Sequence, residues 1–180
     1  MHLESLSHCE LVIGDYPSFH YDARGGGGIT TQNKTEDNGS QSVSFDPESF
    51  RIPPLNWKTT KFLGLPMPPG LEIEIVPRIL NGTFNLKSGY MSLILEADFV
   101  FSIFSLIKAP ELKIKTCLNT EELLTENHKM GAQTIQSNGR ATLTGVARVP
   151  RTGQKYLDTF LSLPNDATAK LHCKFTDLNI

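Results

Sequence analysis

Three side chains near the N-terminus alternate along the chain, His20, Asp22 and Arg24, and they run directly into Gly25-Gly26-Gly27-Gly28. A period of two puts residues i, i+2 and i+4 on one side of a strand. On such a face a carboxylate can orient an imidazole for acid–base work. The guanidinium and the backbone amides of Gly25 and Gly26 can at the same time form a nest for a small anion. No Walker lysine follows the glycines and the polar tail is not a helix start, so neither a P-loop nor a dinucleotide fingerprint fits. No serine in a nucleophile elbow and no positioned cysteine accompanies the three. An exposed edge strand followed by a flexible glycine loop accounts for the same residues without any chemistry.

A second constellation is the pair His8-Cys9 and His172-Cys173. If the terminal strands lie side by side, these four residues resemble a metal set. Adjacent residues of a strand point to opposite faces, however, so one site can hold the two cysteines or the two histidines but not all four. Inward cysteines and outward histidines are the expected arrangement, with no metal and no cofactor.

The stretch 46–70, DPESFRIPPLNWKTTKFLGLPMPPG, has a different character. It holds six of the 11 prolines, the only tryptophan and several large apolar residues. Proline fixes φ and pushes its predecessor toward extended geometry, so this connection reads as a rigid loop. Rigid aromatic-rich loops lose little entropy on binding, which suits a contact surface or a pocket lip. Trp57, Phe62 and Met67 are the expected anchors, with Lys58 and Lys61 at the rim. The same side chains can equally plug the open end of a β-structure.

The elements that position these groups are strands. From Met91 to Ile103 the residues Met91, Leu93, Leu95, Ala97, Phe99, Phe101 and Ile103 share one face, the signature of a strand with one buried side. Lys87-Ser88-Gly89 separates this run from Ile79–Leu86, which predicts a long central hairpin, bent or changing sheets near Ala97-Asp98. Leu71–Val76 leads into it through Pro77. Leu11–Tyr21 reads as a first strand broken at Gly14 and Pro17, and Ser42–Phe45 as a short one. Leu112–Leu118, Arg140–Val149 and Ala169–Phe175 follow, with Leu112, Ile114, Thr116 and Leu118 inward. Residues 29–41 read as a mobile loop, because glycine and polar residues offer little to bury. Asn119 and Glu122 predict either a short capped helix through His128 or a polar turn. The helix candidate with the better signals is Thr152–Leu161, behind a threonine cap and ahead of Pro164. The sum is one all-β domain over residues 1–180, an antiparallel sandwich or flattened barrel of about eight strands with one short helix near the C-terminus.

Composition narrows the function classes. A chain of 180 residues at 39% hydrophobic and 20% charged suits one soluble domain with a real core. A formal charge of −2 gives no general argument for nucleic acid. No apolar run reaches the roughly 20 residues of a membrane helix. No basic and apolar leader is visible at the N-terminus. Three widely spaced cysteines without a CxxC predict buried thiols in a reducing compartment. Asn33-Lys34-Thr35 and Asn81-Gly82-Thr83 match the glycosylation pattern, and without a leader both are read as chance.

Three segments together, YPSFHYDARGGGG from Tyr16, FRIPPLNWKTTKFLGLPMPPGLEIEIVP from Phe50 and APELKIKTCLNTEE from Ala109, resemble a family of cyanobacteria and plastids. The resemblance spans most of the chain, and the proline-rich block is its most specific part. The family brings no established activity, cofactor or catalytic residue to these positions. It implies a location, the cyanobacterial cytoplasm or the plastid stroma, with peripheral thylakoid association as a further implication. The expectation is a non-catalytic binding or accessory module that engages a protein partner or an apolar small molecule through the proline-rich loop. The alternative is an enzyme or small-anion binder using His20, Asp22 and Arg24 with the glycine loop.

Overall fold

The computed structural model describes residues 1–35, 40–85, 87–108, 111–125 and 128–178. In chain order its elements are β1 (His2–Ser5), β2 (Cys9–Ile13), β3 (Phe19–Tyr21), β4 (Gly27–Thr35), β5 (Ser40–Phe45), β6 (Thr60–Phe62), β7 (Leu65–Pro66), β8 (Leu71–Asn85), β9 (Met91–Ile103), β10 (Ile107–Lys108), β11 (Leu112–Asn119), β12 (Leu123–Leu124), β13 (Lys129–Met130), β14 (Arg140–Val149), α1 (Lys155–Phe160) and β15 (Asn165–Thr176). Every strand pairing is antiparallel, and the main sheet holds 13 strands. The order β1-β4-β5-β8-β9-β11-β14-β15 returns to β1, so these strands close a barrel, which leaves their hydrogen-bonding edges paired.

β8 and β9 are the spine. Leu71 pairs with Ile103 at one end and Phe84 with Met91 at the other. The expected bend has a local cause. The register shifts between Pro77 and Ile79, leaving Arg78 as an extra residue opposite the Ala97–Glu96 step. A bulge of this kind kinks and twists its strand, and proline, with no N–H to give the ladder, is tolerated there.

The edge of β15 is shared. β1 pairs with Cys173–Thr176 and β2 with Ala167–Lys170, because the chain breaks step at Leu6-Ser7-His8, where His8 has φ 64°. From β2 the sheet continues through β3, β6 and β7, and a bridge between Leu55 and Ile73 joins the proline-rich segment to β8.

One half of the barrel is closely packed, with a gap of about 70 Å³ beside Phe50, Leu93 and Leu143. Leu3, Phe45, Phe84, Met91, Leu143 and Phe175 pack together at what we call the base. At the other end, the helix end, α1 lays Leu157 and Leu161 against Phe101, Leu112 and Val149. The outer face of β14 meets the segments 120–125 and 128–133. Thr144 Oγ1 donates to the Glu121 carbonyl at 2.6 Å, and Gln133 bridges to Thr142, so both threonines are buried.

Several expectations change. Residues 29–41, read as a loop, fall in β4 and β5, apart from 36–39, which lie outside the described residues. The misreading comes from composition, since ITTQNKT is polar yet its threonines favour the extended backbone. Between Asn119 and His128 there is no helix among the described residues. β12 and β13 form a small hairpin instead, with Asn119 Oδ1 accepting from Glu121 N–H. Helix α1 starts later than Thr152, and its N-cap, Gln154, makes no side-chain cap. Thr152 is held by Asp158, whose Oδ1 accepts from both the Thr152 amide and its hydroxyl at 2.7 Å. The strands outnumber the eight expected because β1, β4 and β6 add to them and the connections carry four two-residue strands of their own.

Candidate ligand cavity

The inward faces of β8, β9, β11 and β15 are largely apolar, with Thr116 an exception, and side chains fill the base more closely than the middle. Between the middle of the barrel and the helix end a cavity of about 170 Å³ remains. Phe99, Phe101, Leu112 and Ile114 line one wall, and Leu11, Ile13, Ala167 and Ala169 the other. Small residues face the void where larger ones would close it, notably Ala97, Gly145 and Ala147. The proline-rich segment contributes Ile52 and Leu55 to the lining. Two of the polar groups in the wall are internally engaged, and a third, the buried Thr168 Oγ1, has no hydrogen-bond partner among the described residues. Thr116 Oγ1 donates to the Val146 carbonyl at 3.0 Å, and Tyr21 Oη donates to the Pro53 carbonyl. Burial pushes the Tyr21 hydroxyl well above its ordinary value. Such a space offers shape and dispersion contacts and no charge to a ligand.

The anchors read from the sequence divide among three environments. Met67 is buried in the core with Leu55, Ile75 and Ala97. Phe62 stacks on Phe19 at a centroid distance of 4.7 Å and tilts against Tyr16 at 6.5 Å, forming an outer aromatic cluster on the β3–β6 side. Trp57 is exposed, with Lys58 Nζ 5.4 Å from its ring centroid, and Lys61 is exposed beside it in sequence on β6. Met67 therefore offers no free contact surface, because β7 turns it inward. Trp57, Lys58 and Lys61 are exposed, and none of the three lines the cavity.

The polar constellation separates in a different way. Arg24 and Asp22 form a two-pronged pair, Nε to Oδ1 at 2.9 Å and Nη2 to Oδ2 at 2.6 Å. The guanidinium hydrogen bond holds the Asp22 carboxyl below its ordinary range. His20 is on β3 between Glu10 and Lys61 and joins neither. Two of the glycine amides are spent. Gly26 N–H donates to the Ala23 carbonyl and Gly27 N–H to the Arg51 carbonyl. Gly26, Gly27 and Gly28 are there for close packing, whereas Gly25 has open space around it. A Cβ at Gly27, which has φ 137°, would lie 2.0 Å from the Leu3 carbonyl oxygen.

Cys9 and Cys173 point inward and are buried, as the alternation requires, and His8 is exposed. Cys117 departs from the expected buried thiols. It sits on the outward face of β11, exposed, with its Sγ 3.4 Å from Ser92 Oγ. No group of three potential metal ligands occurs among the described residues. His172 instead contacts Thr142 Oγ1 through Nδ1 at 3.0 Å and shares an outer polar groove with His8, Arg24 and Arg140. No helix among the described residues is long and apolar enough to cross a membrane.

The cavity residues were visible in the sequence as inward faces but not as a void. Whether two apolar faces meet or stand apart depends on barrel girth, which the pattern of one strand does not carry. The chain matches no protein-family model, no curated protein and no solved structure.

Proposed function

We propose that this protein is a non-catalytic module that holds a neutral apolar small molecule inside its barrel, with the proline-rich segment as one wall. The observation that supports this reading is the apolar void of about 170 Å³ beside a more closely packed base. A core with no use for the space gains by filling it, since a cavity forfeits dispersion contacts and costs stability in proportion to its volume. A void of about 150 Å³ lined by aliphatic and aromatic groups stays dry and takes up benzene. The natural ligand is accordingly a small ring or a hydrocarbon segment of similar bulk. The thiol pattern and the resemblance to a cyanobacterial and plastid family favour a reducing photosynthetic compartment as the place of action.

The test is thermal stabilisation by neutral probes of increasing size, from toluene to N-phenyl-1-naphthylamine, in wild type and in Ala97→Leu and Ala147→Leu. Saturating ligand at about 100 times its Kd stabilises by roughly 2.7 kcal/mol. The expected result is stabilisation of the wild type by at least one probe, lost in both filled variants while they stay folded. Stabilisation by none of the probes, or binding untouched by filling, overturns the reading.

A further inference from the structure

On the outside of the barrel, basic side chains from four separate segments converge on one groove of about 450 Å³. His8 comes from the break between β1 and β2, Arg24 from the turn after β3, Arg140 from β14 and His172 from β15. Backbone hydrogen bonds hold these segments together. Leu6 N–H donates to the His172 carbonyl at 2.8 Å, and Ala23 N–H to the Leu6 carbonyl at 3.2 Å. Gln133 and Thr142, which also line the groove, exchange a pair of such bonds at 3.0 Å. His8 enters from a backbone at φ 64°, which a residue other than glycine adopts only where its surroundings impose it. No carboxylate among the described residues lines the groove.

The donors here are only partly spent. Asp22 accepts from Nε and Nη2 of Arg24, which fixes the plane of the guanidinium and leaves Nη1 unengaged among the described residues. The Arg140 side chain makes no ion pair or hydrogen bond among them, its amide alone being held, by Asn138. Thr142 Oγ1 holds His172 at Nδ1 and Ser7 Oγ holds His8 at Nδ1, at 3.0 and 2.8 Å, so each ring keeps Nε2 for a ligand. The nearby charges otherwise balance. Asp22 offsets Arg24, Glu10 meets Lys170 at 3.3 Å, and Glu4 lies opposite Lys174 across β1 and β15. Glu121 stands farther along β14, beside Thr144, and Glu122 pairs with Lys129 at 3.1 Å. Arg140 is the cation left over at the groove itself, and protonation of the two imidazoles adds to it. Burial, then the charge of Lys170, holds His172 below its ordinary value, while Glu10 works the other way. An anion seated in the groove opposes the first two and draws a proton onto the ring.

We propose that this groove binds the phosphoryl group of a small phosphate monoester, with Arg24, Arg140 and His172 donating to its terminal oxygens and His8 completing the set. A planar carboxylate is satisfied by one guanidinium fork, whereas a phosphoryl group presents three acceptor oxygens in different directions. Donors arriving from four segments match the second. The groove is larger than a phosphoryl group alone requires and falls within the roughly 300–1,000 Å³ of small-molecule sites, so the ester carries an organic body. Of the residues first read as an anion site only Arg24 contributes, and His20 and the glycine loop line no part of the groove. The site lies on the outer faces of β14 and β15, away from the apolar cavity, and goes beyond the apolar-ligand reading without depending on it.

The experiment is calorimetric titration with phenyl phosphate, inorganic phosphate and benzoate at fixed ionic strength and neutral pH, with proton NMR of the histidine rings alongside. Phenyl phosphate is expected to bind at least fivefold more tightly than inorganic phosphate or benzoate. It is expected to move the ring resonances of His8 and His172 and not those of His20 and His128. Arg140→Gln and His172→Gln, each checked for folding by thermal unfolding, are expected to weaken binding at least tenfold. Lys174→Gln removes a positive charge beside the groove without touching its lining, and Ala97→Leu fills the cavity instead. Both are expected to bind phenyl phosphate as the wild type does. No binding of phenyl phosphate, equal binding of benzoate or inorganic phosphate, or unmoved His8 and His172 resonances overturns the proposal. So does a loss in Lys174→Gln or Ala97→Leu as large as that in Arg140→Gln.

Discussion

Arg78 Nε donates to Asp98 Oδ2 at 2.7 Å across the bulge of the central hairpin. Arg78 is the extra residue of that bulge, and its side chain folds over the partner strand to cover a carboxylate that is 6% exposed. The kink in the spine and the neutralisation of its buried charge thus come from one inserted residue.

Removing the guanidinium should leave that carboxylate uncompensated. An exposed pair is worth about 0–1 kcal/mol and a buried one costs about 3–5 kcal/mol to break. Arg78 is itself more than half exposed, so Arg78→Ala should lower stability by about 1–2 kcal/mol in urea unfolding. The double variant with Asp98→Asn should recover part of the loss, and an additive result would mean that the two residues are not coupled.

The interior thiols tie stability to alkaline pH. Burial, the largest cause, raises the Cys9 thiol from 9.0 to about 11, and burial drives Cys173 in the same direction. The folded state holds the proton more tightly than the unfolded chain. The contribution of Cys9 is therefore complete below about pH 9 and is lost as pH rises to about 11. Two units correspond to roughly 2–3 kcal/mol. Urea unfolding across this window should show the fall in wild type and a shallower one in Cys9→Ala. Native thiol labelling at neutral pH should modify Cys117 first, and equal rates at all three cysteines would contradict the burial pattern.

The glycine run should respond residue by residue. Gly27→Ala drives a methyl group into the Leu3 carbonyl and should cost about 3 kcal/mol or more, enough to lower the soluble yield. Gly25 has φ 89° and open space around it, so Gly25→Ala should cost only the left-handed strain, about 1–2 kcal/mol. Equal effects in thermal unfolding would show that the run is not packed as described.

Trp57 and Phe62 should also part company. Phe62→Ala breaks the stack on Phe19 and should destabilise by about 1–2 kcal/mol. Trp57→Ala, on the surface, should stay within about 0.5 kcal/mol of wild type. Calorimetry on the single variants decides it, and a large loss for Trp57→Ala would place that ring in the core.

The strands were legible because their inward residues repeat at period two with little interruption. Leu112 to Leu118 turns one face inward and the other outward as its spacing requires. Met91 to Phe101 does the same except at Asp98, which is buried under Arg78, while Ile103, read as inward, is exposed. β4 was not legible, since its threonines, asparagine and lysine carry no apolar alternation, and its pairing with β5 supplies what its side chains do not. Of the candidate site, the proline-rich segment could be singled out by composition. Its division into core, outer cluster and exposed surface could not, because that depends on which turns the prolines fix. The closeness of His20, Asp22 and Arg24 in sequence was misleading for a related reason. Asp22 and Arg24 lie beyond the end of β3, where strand alternation no longer governs direction.

The shared edge of β15 gives the molecule two circumferences. Around the base the wall runs through β1, β4 and β5. Around the helix end it runs through β2, β3 and β6 and the Leu55–Ile73 bridge. The two loops of wall have only the β8–β15 spine in common. The throat can therefore be widened, narrowed or re-lined by changes in residues 9–23 and 53–70 with less effect on the plug beneath, whose core takes in Phe50 and is contacted by Ile52. A sheet divided in this way separates what the barrel encloses from what keeps it folded, and it leaves the enclosed volume free to diverge among sequences built on the same base.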